Sequence, residues 1–177
     1  MPNFEETKNA IKERIPSFED AKNAIKDRIP DNLDAVVEKI PYADRISAIS
    51  DKLPKVIGPK THAIIDYAMA GSFLTMGALW LKSNKKAAIG SFICGGAVLA
   101  NSLLTDYPGG VAEVISFETH GKIDVGLAAA TLTMPRLLGL SGNGSAWFYR
   151  LQAVAETAVV GMTDFNQSEA EERLNAA

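Results

Sequence analysis

The sequence predicts an all-α protein: a bundle of four transmembrane helices, made of two tandem helical hairpins and preceded by short amphipathic helices. Three observations support this prediction: four apolar stretches of about 20 residues, an internal repeat with a constant offset of 58 residues, and a 14-residue repeat near the N-terminus. The mean hydropathy of +0.03 averages two unlike parts. Charged residues occupy 22 of positions 1–61 but only 13 of the 104 positions 62–165, so the 177-residue chain combines a charged arm with an apolar body.

The N-terminal arm, which we assign to residues 1–58, contains the 14-residue repeat. The segment FEETKNAIKERIP at 4–16 recurs as FEDAKNAIKDRIP at 18–30, and each copy ends in a proline that stops a helix. The apolar face of these helices comprises Phe4, Ile11, Ile15, Phe18, Ile25 and Ile29. Short helices are marginal alone, so we expect this face to dock on the membrane interface or on a protein. The 11 basic and 11 acidic residues of 1–61 favour a protein, because balanced charge gives no attraction to anionic lipid.

The apolar body contains four stretches, at 62–81, 87–107, 120–140 and 146–165. A helix of about 20 residues spans the roughly 30 Å hydrocarbon core of a bilayer. The polar connections KSNKK and SGNGS join the stretches into two hairpins. A soluble bundle of buried helices is the alternative, but the second stretch lacks the polar face that soluble helices normally show.

The body is a tandem duplication. Residues 61–107 match 119–165 without a gap at 15 of 47 positions, including polar residues near both ends. Each repeat is one hairpin, so both repeats enter the membrane from the same side. We assign the membrane domain to 59–165 and a polar tail to 166–177. Six polar residues are expected to gather at the end of the bundle that holds both termini: His62, Asp66, Asp106, His120, Asp124 and Asp164.

The openings of the two repeats carry a resemblance to a known family. The motif T-H-x-x-I-D-Y at 61–67, an apolar run ending near Trp80 and a second copy that contains Pro135 resemble the SPW-repeat integral membrane proteins of bacteria over about residues 55–165. This chain keeps Trp80 without a neighbouring proline, and Pro135 without a neighbouring tryptophan. The resemblance implies paired helical hairpins in a membrane, and it implies no biochemical activity.

The histidines and aspartates that open the repeats are candidate site residues. A histidine and an aspartate four residues apart lie on one helix face, so His62 can pair with Asp66 and His120 with Asp124. In a structural interpretation these pairs, with the aspartates that end the hairpins, fix the packing and need no cofactor. In the alternative interpretation the two equivalent histidines are axial ligands of haem b, or the histidines and aspartates hold a divalent metal such as Zn²⁺ or Fe²⁺.

Glu156 lies near the middle of the fourth apolar stretch, where an acid is a candidate functional residue. Arg136 and Arg150 lie about one turn from the end of the bundle that holds the hairpin tips. From there their long side chains could extend toward Glu156. We therefore expect a charge-paired packing contact, or a contact with a neighbouring subunit. Proton or ion conduction is the alternative.

Charge and motif content narrow the function classes. The net charge of −3 argues against a nucleic-acid partner, which would require a basic face. No nucleophile–base pair or phosphate-binding loop is visible, so we expect no enzymatic activity. We expect a multi-pass protein of the bacterial inner membrane. The hairpin tips carry slightly more lysine and arginine than the termini side, which favours tips in the cytoplasm. That orientation would export a charged arm without a signal peptide, so we expect the termini in the cytoplasm. Its expected role is structural or accessory. The helical body would lie in the lipid bilayer, and the arm would dock onto a larger membrane protein complex or onto a second copy. A haem- or metal-binding membrane protein is the alternative.

Overall fold

A computed structural model describes residues 17–30, 32–140 and 144–166. Every regular element in these ranges is a helix, which confirms the all-α prediction. The helices are α1 (Phe18–Lys26), α2 (Leu33–Val37), α3 (Ala43–Ser50), α4 (Pro59–Trp80), α5 (Lys85–Leu104), α6 (Phe117–Leu137) and α7 (Gly144–Met162).

The chain divides into two compact units, Met1–Asp31 and Asn32–Ala177. In the first unit, a capping box starts α1: the Ser17 hydroxyl accepts from the Asp20 backbone N–H, and the Asp20 carboxylate accepts from the Ser17 backbone N–H. Phe18 and Ile25 of the predicted docking face are exposed, and Ile29 follows the helix. Three further residues of that face lie outside the described residues: Phe4, Ile11 and Ile15.

The division at residue 31 differs from the arm boundary near residue 58 that the sequence predicted. The reason is that α2 and α3 pack against α6 and α7 within the second unit. Ala43 and Ile46 of α3 are buried against Ala128 and Ala129 in the middle of α6. Residues 32–53 therefore form part of the helical body rather than of a free arm.

Two helices, α4 and α5, are long and apolar enough to cross a membrane. Polar residues lower the hydropathy of α6 and α7, and neither passes the same test. The core helices of soluble proteins can have the same length and composition. The four predicted spans are thus reduced to two candidate spans.

The two repeats exchange backbone contacts near their ends, in pairs that an approximate two-fold axis between the repeats would relate. Ile57, which precedes the first repeat, forms an isolated parallel bridge with Thr163 of the second repeat. Ile115, which precedes the second repeat, forms the equivalent bridge with Thr105 of the first. The two bridges are related by the repeat offset of 58, because Ile115 corresponds to Ile57 and Thr105 corresponds to Thr163. Each repeat therefore anchors the start of the other.

A second contact on this axis lies toward the opposite end of the bundle. Ser91 and Tyr149 occupy equivalent positions in the two repeats, and their hydroxyl oxygens are 3.1 Å apart. The Tyr149 hydroxyl also donates to the backbone carbonyl of Ala87 at 2.7 Å. Contacts near both ends of the bundle thus join the two repeats to each other.

Candidate metal centre

Four side chains of metal-ligand type meet at the end of the bundle where α4 and α6 begin. His62 and Asp66 belong to α4, and His120 and Asp124 belong to α6. Each pair is spaced by four residues, which places both members on one helix face. Both histidines are fully buried, and Asp66 and Asp124 are 4% and 8% exposed. The sequence predicted this grouping from the repeat and the spacing.

The ligand atoms of these four residues form one compact group. The Nε2 atoms of His62 and His120 are 3.0 Å apart. Asp124 Oδ2 lies 3.1 Å from His62 Nε2 and 2.9 Å from His120 Nε2. Asp66 Oδ2 lies 3.1 Å from His120 Nε2 and 3.4 Å from His62 Nε2. Ligands bound at 2.0–2.1 Å around a tetrahedral ion are about 3.3 Å apart, so these separations are close to those of a tetrahedral metal site.

Two threonines determine which histidine nitrogens face the group. Thr163 Oγ1 lies 2.7 Å from His62 Nδ1 and donates its only proton to the carbonyl of Val159 at 2.6 Å. It must therefore accept a hydrogen bond from Nδ1–H. Thr105 has the same relation to His120 at 2.7 Å, and its hydroxyl also donates to a carbonyl four residues earlier. In their neutral forms, both imidazoles consequently present an Nε2 lone pair to the centre.

The carboxylates have further hydrogen-bond donors. Asn101 Nδ2 donates to Asp124 Oδ1 at 2.8 Å. The hydroxyl of Tyr107 reaches Asp66 Oδ2 at 3.3 Å. The hydroxyl of Ser102 lies 3.2 Å from the same oxygen and shares its proton between it and the carbonyl of Val98 at 3.0 Å. Burial raises the pKa of Tyr107, so its phenol stays protonated and can donate. All three donors come from the first repeat, and the equivalent residues of the second repeat are apolar: Val159, Val160 and Phe165.

Aromatic rings enclose the histidines. The rings of Phe117 and Phe165 lie 5.4 and 5.5 Å from the His62 ring, centroid to centroid. The Tyr107 ring lies 5.3 Å from the His120 ring. These contacts exclude water from the histidine side of the group, which strengthens electrostatic interactions inside it.

Asp106 and Asp164, which the sequence placed in the polar group, lie outside it. Asp106 is exposed, and Asp164 accepts a hydrogen bond from the backbone N–H of Asn166. Their neighbours Thr105 and Thr163 contact the histidines instead. The backbone is locally extended at Thr105, so consecutive side chains point in opposite directions. In the sequence, these threonines are indicated by the Thr-Asp dipeptide that occurs in both repeats, at 105–106 and 163–164.

Glu156 is buried in α7 at 6% exposure, but its environment differs from the prediction. Thr131 donates to Glu156 Oε1 at 3.4 Å. Arg136 and Arg150 are exposed, and no ion pair between described residues joins either of them to Glu156. Arg150 instead lies over the ring of Trp147 at 5.4 Å. Six helical residues correspond to a large rotation, so Arg150 and Glu156 project from different faces of α7.

Comparisons with protein-family models, with curated proteins and with solved structures find no match for this chain.

Proposed function

We propose that this chain is a small helical membrane protein that binds one divalent transition-metal ion between its two repeats. The ligands are His62, Asp66, His120 and Asp124. The observation that carries the proposal is the convergence of two Nε2 lone pairs and two carboxylates in a buried group whose outer hydrogen bonds are already made.

The electrostatics of the group support a cation at its centre. Two buried carboxylates carry two negative charges in an environment where an uncompensated charge is costly. Two Nε2 lone pairs 3.0 Å apart also repel each other unless something lies between them or binds to them. No lysine or arginine among the described residues forms an ion pair with either carboxylate. A divalent ion neutralises both charges and satisfies all four atoms, whereas the structural interpretation requires a proton on each Nε2.

The ligand set favours a metal ion over haem. Imidazole and carboxylate ligands together suit Zn²⁺, Fe²⁺ and Mn²⁺. Two axial histidines of a haem bind on opposite sides of the iron, so their Nε2 atoms are about 4 Å apart with the porphyrin between them. The observed separation is 3.0 Å, and the two carboxylates occupy the same space.

A metal here would link the two halves of the bundle. Each repeat supplies one histidine and one aspartate, so the ion would join α4 to α6 across the two-fold axis. The threonine hydroxyls that orient the imidazoles would act as the outer hydrogen-bond partners that metal-bound histidines normally have. We assign the ion the role of joining the two repeats.

Metal analysis of the purified protein tests this proposal. After growth with zinc, iron and manganese, we expect about one metal ion per chain. The variants His62→Ala and His120→Ala should both lose it, because the two positions are equivalent. Asp106→Asn is the matched control and should retain the ion, because Asp106 lies outside the group. A folded, metal-free protein that takes up none of the three metals would contradict the proposal and favour the protonated pairs.

The membrane location is part of the same proposal. Two helices are candidate spans, and large apolar side chains are exposed on both hairpins, among them Ile64, Leu79, Ile89, Ile93, Leu151 and Val154. Trp147, 66% exposed beneath Arg150, is of the type found at membrane interfaces. The same His-x3-Asp openings carry the resemblance to the SPW-repeat proteins, which implies a bacterial inner-membrane location. We expect the protein to remain in the membrane fraction after alkaline carbonate washing, and its release would contradict this location.

An accessory role of the arm is a second candidate function. The exposed Phe18 and Ile25 of α1 favour it, because they give a short helix an apolar face for a larger membrane protein complex or a second copy. Deletion of residues 3–30 leaves the second unit intact and should abolish co-purification or self-association. An unchanged assembly after this deletion would contradict the docking role.

A further inference from the structure

A small cavity lies next to the carboxylates of the candidate metal centre. Six of the eight residues that line it form three pairs at the repeat offset of 58, as expected for a cavity near the approximate two-fold axis. These pairs are Asp66 with Asp124, Met69 with Leu127, and Val98 with Glu156. Neither histidine lines it, so the cavity adjoins the centre on its aspartate side.

Glu156 breaks the symmetry of this cavity. The equivalent residue of the first repeat is Val98, so the duplication does not require an acid here. The Glu156 side chain is buried, and its Oε1 atom accepts a hydrogen bond from Thr131. Its Oε2 atom is buried without a hydrogen-bond partner among the described residues. Such an atom is destabilising unless a further polar group binds to it.

The dimensions and lining of the cavity limit what that polar group can be. The space has room for about one water molecule. A buried water normally makes two to four hydrogen bonds or equivalent polar contacts. Glu156 lines the same space as Asp66 and Asp124. A water in this position would be near both the unpartnered carboxyl oxygen and the ion.

We propose that Glu156 holds a water molecule in this cavity and that this water is a fifth, non-protein ligand of the metal ion. This inference rests on the proposed metal site. It makes the centre five-coordinate with one exchangeable position, as in metal sites that bind small molecules, rather than closed by four protein ligands. Glu156 positions the water and does not itself bind the ion.

The visible spectrum of the Co²⁺-loaded protein tests this inference. Tetrahedral Co²⁺ absorbs several-fold more strongly than five-coordinate Co²⁺, so the native chain should show weak bands. Glu156→Val introduces the residue that the first repeat has at this position. It should remove the water and raise the absorption several-fold. Glu156→Gln is the matched control, and it should keep the weak bands because an amide can also bind the water.

The outcomes separate this inference from the proposal on which it rests. Strong tetrahedral bands in the native chain would overturn the inference whatever the variants do. Weak bands that Glu156→Val leaves unchanged, with Co²⁺ still bound in equal amount, would overturn it as well. A native chain that binds no Co²⁺, Zn²⁺ or Fe²⁺ would overturn the metal site itself, and the fifth ligand with it.

Discussion

At the scale of single residues, the candidate centre depends on side chains that sequence spacing predicts and on others that it does not. His62 and Asp66 are four residues apart, so helical geometry alone brings them together. The partner of His62 Nδ1 is Thr163, which is 101 residues away along the chain. Only the exchange of contacts between the repeats makes this pair, and no local pattern indicates it. From sequence, Asp164 is therefore the expected member of the polar group, whereas its neighbour Thr163 makes the contact.

Loss of the threonine hydroxyls should weaken metal binding. In Thr163→Val the Nδ1–H of His62 loses its acceptor, so the ring is no longer held with Nε2 toward the centre. We expect the affinity for Zn²⁺ to fall about 10- to 100-fold, and we expect the same for Thr105→Val. Isothermal titration against a competing chelator measures the change. Thr61→Val, at an exposed position beside His62, is the control, and equal affinity in all four proteins would contradict the orienting role.

At the scale of helices, the sequence predicts the hairpins well and the arm less well. The apolar stretches and their polar connections correspond to α4 to α7. The sequence places residues 32–53 in the arm, but these residues pack against the body. Gly126 of α6 lets Ile40 approach, and small alanines of α6 contact α3. Small residues on a helix are compatible with many kinds of packing. Their presence alone does not show which segment packs against them.

The segment around α3 also packs closely against Gly161 of α7. A Cβ atom added there would lie 2.6 Å from Leu53 Cδ1 and 2.8 Å from the backbone Cα of Ser50. Gly161→Ala should therefore displace the end of α3 and destabilise the protein by about 1–3 kcal/mol. Limited proteolysis should then cleave residues 32–58 faster.

The control for this variant is another helical glycine, Gly96, whose added Cβ would meet nothing within 4 Å. Gly96→Ala should be neutral or stabilise by up to about 1 kcal/mol, because alanine favours the helix. Equal thermal midpoints and equal proteolysis for the two variants would show that α3 does not rest on Gly161.

At the scale of the whole molecule, the repeat offset predicts two similar hairpins and the end of the bundle at which their polar residues lie. Similar sequences at 61–107 and 119–165 fold into similar hairpins, and the parallel order places both His-Asp pairs at one end. The offset does not predict how the hairpins face each other, because that depends on packing between them. The asymmetry of the carboxylate donors is visible in the sequence, where Asn101 and Ser102 correspond to valines, but its meaning requires the fold.

The ion should stabilise the entire second unit, because its ligands come from both repeats. A free metal concentration of 100 times the dissociation constant adds about 2.7 kcal/mol, which corresponds to a rise of about 5–10 °C in Tm for a chain of this size. Thermal unfolding in detergent, with metal and after chelation, measures the difference. His62→Ala should show no such rise, and an equal midpoint for the native protein in both conditions would contradict the linking role.

The bridges that pair Ile57 with Thr163 and Ile115 with Thr105 give the chain the symmetry of an isologous dimer whose two protomers are covalently tethered. One hairpin on its own would leave its histidine without the threonine that orients it. Two copies of one hairpin would restore both contacts, since each copy supplies what the other lacks. The smallest complete form of this architecture is therefore a pair of hairpins, and the linker between them raises the effective concentration of one for the other.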